Sequence, residues 1–114
     1  MPSINVKTSA VLTQEKRDVL KADLGRAIAC FPGKSEQWLM VTIEDGLNMW
    51  FRGNASADTA LIDVDILGDV SAAASEKMTA ALCGIMDREL GIPQDRVYVK
   101  YAGYRHWGWN GGNF

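Results

Sequence analysis

One pattern runs through the chain twice, and it restricts the fold more than any single residue does. Ile4, Val6 and Thr8 alternate with Asn5 and Lys7, the period of a half-buried strand. From Thr13 the period lengthens, and Leu20, Leu24, Ala27, Ile28 and Phe31 fall on one helical face. Pro32-Gly33 ends that helix, because proline cannot continue it and glycine accepts the left-handed conformation after a helix end. Trp38-Leu39-Met40-Val41-Thr42-Ile43 reads as a second strand. The chain turns at Glu44-Asp45-Gly46, runs extended over Asn48-Met49-Trp50-Phe51, and turns again at Gly53-Asn54-Ala55-Ser56. The order then restarts: a strand from Ala60 to Leu67, a helix from Ser71 to Leu90 whose buried face is Met78, Leu82, Ile85, Met86 and Leu90, and a strand from Arg96 to Tyr101. Sliding the chain on itself by about 58 residues lays Ile4 on Ile62, Val6 on Val64, Leu20 on Met78, Leu24 on Leu82, Ile28 on Met86, Gly33 on Gly91 and Val41 on Val99 without a gap. We read an internal duplication of a β-α-β unit.

A right-handed crossover makes the two strands of each unit parallel and lays the helix over one face. Two such units side by side predict an α+β fold: a two-layer sandwich of one four-stranded sheet with both helices on the same side, in a single domain spanning residues 1–114. The other face is then bare, and apolar residues are expected on every one of its strands. A monomer rarely leaves such a surface in water, so the face is expected to be an oligomer interface, with Trp50-Phe51 and the C-terminal tail as edge strands reaching to neighbours.

Charge and cysteine usage exclude several functions. The 114 residues carry a formal charge of −2, with Lys and Arg scattered, which gives no footprint for nucleic acid or an anionic membrane. Cys30 and Cys83 each sit in a helix-like segment and read as packed thiols, not as a disulfide framework or a metal site. No apolar run reaches membrane-spanning length and no basic-then-apolar leader opens the chain, so synthesis in the cytosol is expected.

Met1-Pro2 leads straight into the first strand. Methionine before a small residue is normally trimmed, which would leave the proline nitrogen as a secondary amine. An α-amino group titrates at about 7.7–8.0, and burial lowers that value. Pro2 is therefore a candidate acid–base catalyst, although the same dipeptide is also a commonplace start.

The chain resembles the macrophage migration inhibitory factor family of the tautomerase superfamily. The resemblance runs end to end and rests on Met1-Pro2 at the first strand, Gly33-Lys34 after the first helix, Met49-Trp50-Phe51 before the Gly53 turn, Asp95-Arg96-Val97-Tyr98, and the ending Gly108-Trp109-Asn110-Gly111-Gly112-Asn113-Phe114. It implies a homotrimer whose three sheets form a central barrel, with sites between adjacent subunits. It also implies keto–enol tautomerisation of phenylpyruvate-type or dopachrome-type substrates without metal or cofactor. Pro2 would shuttle the proton and Lys34 would pair with the carboxylate of a small aromatic 2-keto acid. Leu67 would meet substrate through its backbone. Trp38, Tyr98, Trp109 and Phe114 would wall the pocket, and Tyr98 could donate to the developing enolate. From the residues alone, Lys34 also reads as a solvated lysine after a helix end, and the aromatics, Trp107 and Phe114 above all, also read as interface packing.

Three positions depart from the family pattern. Lys100 stands where the family has asparagine, adding a cation that would favour more anionic substrates. The Cys-x-x-Cys pair of the vertebrate cytokine falls on Thr59-Ala60-Leu61-Ile62, which supports no thiol–disulfide role. The loop Tyr101-Ala102-Gly103-Tyr104-Arg105-His106 is shorter and leaves His106 and Trp107 at a rim. The competing expectation is a secreted receptor ligand with a vestigial pocket, since family members leave cells without a signal peptide.

Overall fold

The computed structural model describes residues 1–114. In chain order it contains β1 (Pro2–Thr8), α1 (Gln14–Ala27), β2 (Met40–Glu44), β3 (Ala60–Leu67), α2 (Ala72–Leu90), β4 (Val97–Tyr104), β5 (Gly108–Trp109) and β6 (Gly112–Asn113), with single 3-10 turns at Ile28–Cys30, Glu36–Trp38 and Gln94–Arg96. The main sheet has the order β2-β1-β3-β4. β1 pairs parallel with β2, β3 pairs parallel with β4, and β1 meets β3 antiparallel, so the two β-α-β units lie head to tail.

The duplication is visible in the packing. Leu20 and Met78, Leu24 and Leu82, Ile28 and Met86, and Val6 and Val64 are paired positions at which both members are fully buried. Both helices start at matching places, capped by Thr13 and Ser71, whose hydroxyls accept from Lys16 N–H and Ala74 N–H at 3.1 Å each. Asp23, a buried carboxylate of α1, is held by Arg26 of its own helix and by Arg88 of α2 at 3.3 Å, which ties the two helices and pairs a charge that burial would otherwise penalise. Gly91 closes α2 at φ +66, where a side chain would be strained. Gly103 is required for a different reason: a Cβ there would lie 2.3 Å from the Gly68 carbonyl oxygen.

Several sequence expectations need correcting. The second strand starts at Met40, because Trp38 closes a 3-10 turn. The fourth strand runs on to Tyr104. Leu90 is only half-buried at the last position of α2, and Cys30 is half-buried while Cys83 is buried. Phe51 makes a local bridge to Asn54, and the tail folds into a hairpin of its own. The bare face is not apolar on every strand: alternation turns Ile4, Val6 and Thr8 to the helices, so β1 presents Ser3, Asn5 and Lys7 there, and β3 adds Asp63 and Asp65.

Candidate active site

Three segments meet at the start of β1. Pro2 is buried and pairs with Ile66 at the far end of β3. One residue further, the Leu67 N–H donates to the Met1 carbonyl at 2.9 Å, and the Leu67 carbonyl accepts from Lys34 Nζ at 3.2 Å. Lys34 reaches this point because Gly33, at φ +79, turns the chain back after the first helix. Leu67 thus contributes through its backbone, joining the lysine to the chain start. The Met1 amine is held below its ordinary range, first by burial and then by the charge and hydrogen bond of Lys34.

Met1 and Pro2 open onto a cleft of about 460 Å³ lined also by Ser3, Gln37, Trp38, Trp107 and Trp109 among others. Its wall is aromatic. Trp38 meets Trp109 edge-on at 5.1 Å, Trp109 stacks on Phe114 at 5.8 Å, and Trp38 lies 6.4 Å from Phe114. The tail is brought there by the β5–β6 hairpin, whose Asn110 (φ +53) and Gly111 (φ +82) supply the positive φ pair that a tight hairpin demands. A hydrogen bond of 3.1 Å from the Phe114 N–H to the Trp107 carbonyl closes the tail over it.

Tyr98 and Lys100 lie elsewhere. Tyr98 sits across β3 from Leu61, five positions along the sheet from Ile66, the partner of Pro2; at about 3.3 Å per residue that is a separation of roughly 17 Å. There Tyr98 packs edge-on against Phe51 at 5.1 Å, and Lys100 is paired with Asp63 at 3.2 Å. Of the eight residues singled out by sequence, the structure gathers Pro2, Lys34, Leu67, Trp38, Trp109 and Phe114 at one end of the sheet; Tyr98 lies toward the other end, and Lys100 sits in the middle of β4, across from Asp63.

The whole chain, residues 1–114, matches the family model for macrophage migration inhibitory factor. The chain belongs to the macrophage migration inhibitory factor family. Macrophage migration inhibitory factor of Xenopus laevis is 28% identical over 116 residues, covering 100% of this chain and 99% of that protein. D-dopachrome decarboxylase-B of the same organism is 29% identical over 108 residues, covering 94% and 90%. The crystal structure of Leishmania major MIF2 superposes with a TM-score of 0.90 at 32% identity, covering 100% of this chain and 97% of that one. This membership places the chain in the tautomerase superfamily.

Beside the residues singled out from the family pattern, the cleft contains Ser3, Gln37 and Met40, which sequence reasoning did not assign to the site. It also missed Asp65 and Tyr104, which line an adjoining cleft of about 260 Å³ with Ser3, His106, Trp107 and Gly108. The available signal was the alternation in β3: Asp63 and Asp65 are both set against the apolar Ile62, Val64 and Ile66, so both face away from the helices.

Proposed function

We propose that the chain, once Met1 is removed, is a cofactor-independent keto–enol tautomerase of phenylpyruvate-type and dopachrome-type substrates, with Pro2 as its acid–base group. The observation that carries this reading is buried Pro2 at the head of an aromatic-walled cleft, with the Leu67 backbone tying the Lys34 ammonium to the chain start beside it. Trimming would turn the Pro2 nitrogen from a tertiary amide into a secondary amine with a lone pair. Burial and Lys34, which lower the Met1 amine, would act on the Pro2 amine at nearly the same place and keep it neutral near pH 7.

In the forward direction the Pro2 lone pair takes a proton from the carbon next to the substrate carbonyl. The C–H electrons become the C=C bond and the carbonyl π pair moves to oxygen. The protonated amine then gives the proton to that oxygen, completing the enol and restoring the neutral base. Lys34 pairs with the substrate carboxylate, and the proline ring, which cannot rotate about its own N–Cα bond, fixes the direction of the lone pair.

Within one chain Tyr98 lies about 17 Å along the sheet from the register of Pro2 and Lys100 about 10 Å, and the Lys100 ammonium is bonded to Asp63, so both would join this site from a neighbouring copy. The proposed assembly is a homotrimer with its sheets in a central barrel and its sites between adjacent subunits. There a neighbour's Tyr98 would donate to the enolate and its Lys100 would add a second cation for carboxylate. The names of the curated relatives support the reading at the level of chemistry, one being a D-dopachrome decarboxylase.

The test follows the ultraviolet change of enol-phenylpyruvate with three preparations: Met1-free protein, Pro2→Gly, and protein that retains Met1. Turnover by the first alone is expected, and equal rates in all three would remove the mechanism. A second reading, a secreted receptor ligand, is supported by the name macrophage migration inhibitory factor carried by several relatives. Receptor binding that survives Pro2→Gly, in Met1-free protein without turnover, would favour it.

A further inference from the structure

The 3-10 turn Glu36–Trp38 brings Gln37 and Trp38 to the Pro2 cleft, so a contact that fixes the turn also fixes part of the aromatic wall. The turn's own bonds are few. The Leu39 N–H donates to the Glu36 carbonyl at 3.1 Å and the Trp38 N–H to the Ser35 carbonyl at 3.4 Å, and no side chain caps its start. A single 3-10 turn has little stability of its own. On its far side it is held by β2, where Met40 pairs with Ser3 of β1.

On its near side it is held by the Glu36 side chain, which lies against α1. Gly25 is buried in the last turn of that helix, where glycine is a poor helix former. The space that a side chain would take is filled: a Cβ at Gly25 would lie 2.5 Å from the Glu36 carboxyl carbon and 3.1 Å from its Cγ. The missing Cβ is what lets the glutamate approach the helix so closely. The same carboxylate pairs with Lys21 Nζ at 3.2 Å. Lys21 and Gly25 are four residues apart and share one helix face, so Glu36 reaches both. Both members of the ion pair are more than half exposed, and such a pair contributes little alone. The notch at Gly25 supplies the shape that the charge lacks.

Two residues after Glu36, Trp38 meets Trp109 edge-on at 5.1 Å and Phe114 at 6.4 Å. All three rings are exposed, so this cluster is not locked by the hydrophobic core and depends on the backbone that carries it. The contact between Glu36 and α1 is made in the helix layer, away from the open face of the sheet.

We propose that Glu36 is a positioning residue of the Pro2 cleft: its carboxylate, seated in the Gly25 notch and paired with Lys21, latches the Glu36–Trp38 turn to α1 and sets Trp38 against Trp109. The inference rests on the proposed function only for what the wall binds; the latch itself concerns the placement of Trp38.

The test reads Trp38 directly in full-length, Met1-free protein, by the circular dichroism that two close tryptophans give when their indole transitions couple. The part of that signal lost in Trp38→Phe belongs to the Trp38 pair. Gly25→Ala, which puts a methyl where the carboxylate lies, and Glu36→Ala, which removes the side chain, are each expected to lose most of that part while helix content is kept. The double variant is expected to lose no more than either alone, because the methyl then has no carboxylate to displace. Glu36→Gln, which fills the notch without the charge, is expected to keep most of the signal. In Gly25→Ala and Glu36→Ala the KM for phenylpyruvate is expected to rise by about threefold to tenfold, the worth of one aromatic contact, with kcat nearly unchanged. A Trp38 signal unchanged in both single variants would overturn the latch, as would losses that add in the double variant. A fall in kcat with KM unchanged would also overturn it, by placing the effect in the chemistry and not in the wall. Absence of turnover in every preparation, beside the expected loss of the tryptophan signal, would count against the catalytic reading and leave the latch standing.

Discussion

The two β-α-β units share a backbone plan and differ in what they put at equivalent places. The first unit begins β1 with Pro2, and the second begins β3 with Ala60, both buried. Lys34 of the first corresponds to Ile92 of the second, which is fully buried in the core, and the cleft residue Trp38 corresponds to Arg96, whose guanidinium donates to backbone carbonyls of Asp58 and Ala57 at 3.0 and 2.9 Å. The duplicated positions that carry packing are alike, whereas those at the strand start and after the helix have diverged. On the proposed reading, chemistry is concentrated at one end of one unit, while the matching positions of the other serve packing and loop hydrogen bonds.

The widest gap should appear at the strand starts. Pro2→Gly is expected to lower kcat by about 10²–10⁴-fold, the usual worth of a positioned general base, while Ala60→Gly costs about 1 kcal/mol of stability and leaves kcat near its original value. Steady-state kinetics and urea unfolding on the two variants separate these effects; similar losses of kcat would erase the distinction between the units.

The helix-to-strand loops give the next contrast. Ile92→Ala opens the core and is expected to cost about 2–5 kcal/mol of unfolding free energy. Lys34→Ala, at a half-buried position, is expected to change stability little and to raise KM for phenylpyruvate by about tenfold or more. A KM unchanged in Lys34→Ala would leave the lysine as a structural tie to Leu67 alone.

A subtler effect lies in pH dependence. Burial and Lys34 both disfavour the charged amine, so the basic group of Met1-free protein should titrate below the ordinary α-amino range of about 7.7–8.0. Activity then rises as pH climbs through that lowered value, where the amine becomes neutral. Removing the lysine charge should move this limb of the kcat/KM profile upward in pH, toward the ordinary range. A shift in the opposite direction would contradict the assigned sign.

The fold was readable because its main constraint is periodic. Two strands, a helix and their apolar faces recur at one spacing, and paired residues such as Leu24 and Leu82 proved buried alike. Boundaries were less legible where composition is ambiguous: Trp38 and Leu39 extend the apolar run of β2 in sequence, but a 3-10 turn at Glu36–Trp38 competes locally with the strand. The polar character of the open face was also present in the alternation of β1, where every residue between the apolar ones is Ser, Asn or Lys. Pro2, Lys34 and the Trp109–Phe114 tail, which the family resemblance pointed to, do come together at one end of the sheet. The place of Tyr98 and Lys100 was not legible, because their distance from Pro2 depends on strand register and their use on a second chain. Asp65 escaped notice because a single acidic residue in a strand has no pattern until its partners Ser3 and Tyr104 are brought beside it.

The central claim is that the Pro2 amine is the base and that Met1 silences it. Intact mass spectrometry gives the fraction of molecules lacking Met1 in a set of preparations trimmed to different extents, and the same samples can be assayed for enol-phenylpyruvate conversion. The account predicts a rate proportional to the Met1-free fraction, falling to the uncatalysed rate as that fraction approaches zero. A rate independent of that fraction would contradict it.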